Sequence, residues 1–141
     1  MTPQEIAARL PELTGGPHDD ATITALAQIT AEAVRALNHA TFPHAALSEP
    51  GTVYRVLGEL ATAANRLPQL LTQLARWLDA EKTAGRLAHD SGSLDALYRV
   101  LARLDEATRW AGPLGGALDD AQQATAGLYR PDGRDESGED R

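Results

Sequence analysis

The chain contains no cysteine, one lysine, one phenylalanine, two tryptophans and three tyrosines among 141 residues. Without cysteine there can be no disulfide framework, thiol nucleophile or thiolate zinc site. At this length a single core can hide roughly 68% of the surface that the unfolded chain exposes, so neither metal nor cross-link is needed for stability. The scarcity of aromatic and β-branched residues argues against sheet, because these are the residues that strands favour. No run approaches the 18 apolar residues of a membrane-spanning helix. The amino terminus "MTPQEIAARL" lacks the basic and apolar regions of a signal peptide. These absences lead to the expectation of a cytoplasmic protein.

Alanine and leucine are plentiful, with 26 and 20 copies. Both stand near the top of the helix-propensity scale, which predicts an all-α chain. Twelve arginines against the single Lys82 suit translation from a GC-rich genome and carry no functional meaning of their own. The net charge of −7 favours solubility and weighs against binding nucleic acid over a broad surface.

A short peripheral helix is expected within 1–16, where Thr2 caps, Pro3 opens the first turn and Glu5 completes a capping pattern before Pro11 and Gly15-Gly16. Asp19 or Asp20 then caps a helix over about 20–39, in which Ile23, Leu26, Thr30, Val34 and Leu37 recur at helical spacing. After the loop "TFPHAALSEPG" comes the strongest pattern. Val53, Leu57, Leu60, Ala64, Leu67, Leu71, Leu74 and Leu78 alternate in steps of four and three, beside the sevenfold row Val56, Ala63, Leu70, Trp77 and Ala84. This apolar stripe is broad enough for a helix that touches two neighbours. Its phase is unchanged across Pro68, which falls on the polar side, so the pattern predicts one helix of about 50–86 bent at that proline. Trp77 lies on the stripe and is assigned to the core.

The turn "AGRLAHDSGS" leads to a partner helix over about 92–111. "WAGPLGGAL" is expected to break that helix, and a final helix over about 116–129 follows, whose small residues imply close backbone approach. The whole reads as an antiparallel helical bundle: the long Pro-bent helix and its hairpin partner, closed by the 20–39 and 116–129 helices. The expected domain is 20–129, with 130–141 as a disordered acidic tail that offers no aliphatic or aromatic side chain beyond Pro131.

Chemical motifs are scarce. "DSGS" (Asp90–Ser93) matches the surroundings of an aspartic-protease carboxylate, but that chemistry needs two such aspartates, and capping explains the match better. His18, His39, His44 and His89 fall at helix ends or in loops without metal-ligand spacing. His89 beside Asp90 is read as having no nucleophile placed by the same element. "GPLGG" lacks the Gly-Lys-Ser/Thr of a phosphate loop. No catalytic residue, metal or cofactor is assigned, and the chain is expected not to be an enzyme.

Arg99, Arg103 and Arg109 form a small basic patch with Glu106 among them. Trp110 lies off the leucine seam of its helix, beside Arg103. Either a neighbouring helix covers it or it is an exposed anchor for a partner, since Trp and Arg are enriched at interface hot spots. The leading expectation is a non-enzymatic helical protein–protein interaction module, accessory or regulatory, using Trp110, Arg103, Arg99 and Arg109. Its partner is another protein or a second copy of itself. A nucleic-acid-associated accessory factor using the arginines is an alternative.

"LPQLLTQLARWL" in an acidic Ala/Leu-rich chain resembles small helical proteins of actinobacteria, some of them encoded on mobile elements; the likeness covers about a dozen residues and implies no activity. "WAG" (Trp110–Gly112) also resembles the Trp-X-Gly turn of the WXG family of secreted helical hairpins, and this resemblance implies a further alternative function, a secreted WXG-like helical protein. That likeness implies a turn at 110–112 and an export signal that Gly133, four residues after Tyr129, does not supply.

Overall fold

A computed structural model describes residues 18–42 and 46–131, together with Leu10, Glu12 and Gly15. The short helix expected within 1–16 lies almost wholly outside the described residues, as does the tail from Asp132. The described structure is all-α: helix α1 (Asp20–Thr41), helix α2 (Pro50–Thr83) and helix α3 (Asp95–Thr125). By its contacts the chain divides into two units, 1–47 and 48–141. The 20–129 segment expected to be one domain spans both.

In the first unit, α1 starts where Asp19 Oδ1 accepts a hydrogen bond from the Thr22 backbone N–H at 2.8 Å. That bond satisfies one donor left free at a helix start. It also holds the Asp19 carboxyl below its ordinary range. Glu32 and Arg35 pair along the helix at 2.7 Å. None of its residues is buried, and Ile23, Ile29, Val34 and Leu37 stand exposed on its apolar stripe.

The second unit is an antiparallel hairpin of α2 and α3. Pro50 occupies the start of α2, where its missing N–H costs nothing. The 34 residues of α2 span about 50 Å and run without interruption through Pro68. Having no N–H, Pro68 cannot donate to the Ala64 carbonyl one turn back, and its ring crowds that carbonyl. The apolar stripe on both sides of the proline keeps the helix in phase. At its C-terminus, Gly85 takes φ 69°. Its N–H reaches the Lys82 carbonyl, and the Arg86 N–H reaches the Glu81 carbonyl, each at 3.0 Å. This paired termination needs a left-handed residue and so favours glycine. The Arg86 guanidinium then folds back onto Glu81 through two bonds of 2.7 and 2.6 Å, which pins the chain's exit and lowers the Glu81 carboxyl's pKa.

Helix α3 differs from the sequence expectation. It neither ends at 111 nor breaks at "GPLGG"; it continues through Gly112, Pro113, Gly115 and Gly116 to Thr125. The separate helix expected at 116–129 is its last part. Pro113 fits a helix in φ and removes only the bond to the Arg109 carbonyl. None of the three glycines adopts positive φ. Burial supplies the reason for continuity: Ala111 and Gly115, one turn apart, both pack against α2. Tertiary contact here overrides weak local propensity.

The hairpin meets along small side chains. Its buried aliphatic residues are Ala61, Ala64 and Ala111, and Gly115 is buried with them. A Cβ on Gly115 would overlap the Asn65 carboxamide, and one on Gly58 would overlap the Gln122 carboxamide. The helices therefore approach closely at both levels. Near the turn the only lysine, Lys82, pairs with Asp79 at 2.6 Å and lies 5.1 Å from the centre of the Tyr98 ring. These contacts fix the register from the free end of the hairpin to its turn.

Candidate functional site

The two flanks of the hairpin differ in chemistry. On one, Thr72, Ala75, Arg76 and Asp79 of α2 face Leu101, Asp105 and Thr108 of α3. Toward the free end, Tyr54, Arg55, Gly58, Glu59 and Thr62 lie with Asp119 and Gln122. Most of the residues on these surfaces are polar or charged. Elsewhere Leu67 and Leu71 of α2 line an open groove with Ala107, Trp110, Ala111, Pro113 and Leu114 of α3. That groove has a volume of about 780 Å³ and contains no charged residue.

Alongside the groove, Leu67, Leu70, Leu74 and Trp77 follow one another at helical spacing, each exposed. Trp77 is 60% exposed, which corrects its assignment to the core. The cause is geometric. The stripe on α2 is three positions wide, whereas α3 covers only the edge marked by Ala61 and Ala64. Leu71 is half-buried and Leu67 more open, although both face the groove.

Trp110 is 69% exposed. The last part of α3 does not fold back over it, because the helix runs straight on in sequence through Gly112 and Pro113. The indole forms part of the groove wall. Arg103, one turn before Glu106, donates to its carboxylate at 2.5 Å. That bond and the guanidinium charge hold the Glu106 carboxyl below its usual range, outweighing desolvation, with smaller help from the Trp110 indole and Arg109.

The three arginines are not brought together. Arg99 and Arg103 flank a shallow depression with Ala96, Val100 and Leu104. Arg109 instead pairs with Asp105 at 3.2 Å. Two of the three are thus matched to carboxylates of their own helix, which weakens the patch as a phosphate-binding surface. The "WAG" residues lie inside α3 and not at a turn, so the geometry that the WXG likeness implies is absent.

The sequence reading missed one arrangement in the turn between α2 and α3. His89 Nδ1 lies 2.8 Å from Ser91 Oγ and accepts from the Ser91 backbone N–H at 3.1 Å. A hydroxyl is therefore placed beside this imidazole, contrary to expectation. The adjoining Ser93 Oγ accepts from the Asp95 N–H at 3.1 Å, and Gly92 takes φ 72°. The bonds are local to an exposed turn and hold its shape at the entry to α3. They include no contact to His89 Nε2 that would orient the imidazole as a general base.

Among the described residues no group of three or more His, Cys, Asp or Glu side chains could hold a metal ion. Also among these residues, no helix is long and apolar enough to cross a membrane. No protein-family model, curated protein or solved structure matches the chain.

Proposed function

We propose that the protein is a non-enzymatic, helical protein–protein interaction module acting in the cytoplasm, with the groove flank of its hairpin as the binding surface. One observation carries this reading: a charge-free groove adjoins a run of exposed leucines and two exposed tryptophans, while the opposite flank carries Arg76, Asp79 and Asp105. Such a contiguous apolar surface is characteristic of interaction sites. Trp110 serves as the anchor, with Arg103 at its rim. None of the arginines lines the groove itself; Arg99 and Arg103 flank the adjoining depression on α3, and Arg109 contributes through charge.

The test compares interaction partners recovered from the native host with the wild-type chain, Trp110→Asp and Arg76→Glu as baits. The proposal expects partners to be lost with Trp110→Asp and kept with Arg76→Glu on the polar flank. Equal recovery by all three would overturn it.

A further inference from the structure

We infer that a second copy of this chain covers the groove flank, so that two hairpins form a four-helix bundle. The inference rests on the proposed interaction surface and names its occupant. Three observations favour a like chain.

The first is area. Taking an open Trp as about 250 Å² and an open Leu as somewhat less, the exposed parts of Leu67, Leu70, Leu74, Trp77, Trp110 and Leu114 amount to roughly 600 Å². Stable association commits about 800 Å² per partner. Half-buried Leu71, exposed Ala107 and the aliphatic stems of Arg99 and Arg103 are placed to supply the remainder.

The second is position. Leu67 and Trp110, which share the groove, fall at the middle of α2 (Pro50–Thr83) and α3 (Asp95–Thr125). A two-fold axis near this level, passing between the groove and the neighbouring ridge of α2, lays two hairpins along each other's full length. A groove near one end would leave half of each hairpin overhanging.

The third is shape. An interface between identical chains must be self-complementary. This surface carries both parts: a groove of about 780 Å³ and, beside it, the ridge of Leu70, Leu74 and Trp77. Two-fold rotation brings the ridge of each copy toward the groove of the other. The stripe on α2, too wide for α3 alone, then has its second neighbour.

Sedimentation equilibrium on the full chain over a hundredfold concentration range tests the inference. The expected result is a reversible species of twice 15.0 kDa. Trp110→Asp and Leu74→Glu should each weaken it by about thirtyfold or more while circular dichroism shows retained helix, and Arg76→Glu should leave it unchanged. If one variant loses helicity, the other decides. A wild-type chain of 15.0 kDa at every concentration overturns the inference, as does a dimer indifferent to both flank substitutions. A hydrophobic dye then separates the two proposals. A monomer that binds the dye leaves the interaction surface standing for an unlike partner; one that does not bind it removes both.

Discussion

Asn65 and Asp119, 54 positions apart in sequence, are joined across the hairpin by a 2.9 Å bond from Asn65 Nδ2 to Asp119 Oδ2. The same carboxamide presents its oxygen to Gly115 one turn earlier on α3. One side chain thus ties two levels of α3 to α2. Replacing Asn65 by Ala should destabilise the hairpin by about 0.5–1.5 kcal/mol. A double-mutant cycle with Asp119→Ala, read by urea unfolding, should show that most of the loss is shared. Strictly additive effects would mean that the bond contributes nothing.

The glycines of α3 should respond in opposite directions. A Cβ on Gly116 meets nothing within 4 Å, so Gly116→Ala gains helix propensity and should stabilise by about 0.5–1 kcal/mol. Gly115→Leu must displace Asn65 and separate the helices, at a cost of about 1–3 kcal/mol. Thermal unfolding of both variants checks the contrast. A stabilised Gly115→Leu would show that the close approach is dispensable.

Pro113→Ala should restore the donor to the Arg109 carbonyl and relieve the ring's crowding of it. An interior proline costs about 3 kcal/mol, so a gain of at least ~1 kcal/mol is expected if the surrounding packing is kept. Pro68→Ala in α2 should likewise be tolerated or stabilising. Chemical denaturation gives the sign. A loss of stability at Pro113 would mean that the hairpin depends on the proline's effect on helix shape.

Glu106 offers a titration. Hydrogen bonding by Arg103 lowers the folded-state pKa of Glu106 below its unfolded value. Its contribution to stability is therefore fully present above the unfolded carboxylate pKa, and is lost as pH falls through the lowered, folded one. Carboxyl NMR should place the Glu106 midpoint below that of an ordinary glutamate. Arg103→Ala should move it upward; an unmoved midpoint would rule out the pair as the cause.

Much of the architecture follows from local pattern. The four-and-three spacing from Val53 to Leu78 specifies one long helix through Pro68, because burial on both sides of the proline, of Ala61 and Ala64 before it and in part of Leu71 and Leu78 after it, outweighs a single missing bond. Asp19 and Gly85 mark helix ends through chemistry confined to a few neighbouring residues, so their roles are legible in sequence. "GPLGG" was not. Local propensity reads it as a break, whereas the place of its Gly115 against Asn65 is a long-range contact that no window of sequence contains.

The candidate surface divides in the same way. Sequence alone singled out Trp110 as lying off the leucine seam, since helical phase is a local property. It placed Trp77 in the core because a stripe records which residues are apolar, not how many neighbours are present to cover them. Only the packing of α2 against α3 decided that, by using the alanine edge of the stripe and leaving Leu70, Leu74 and Trp77 open. Periodicity determines which side of a helix is apolar; the number and placement of its neighbours depend on residues distant in the chain.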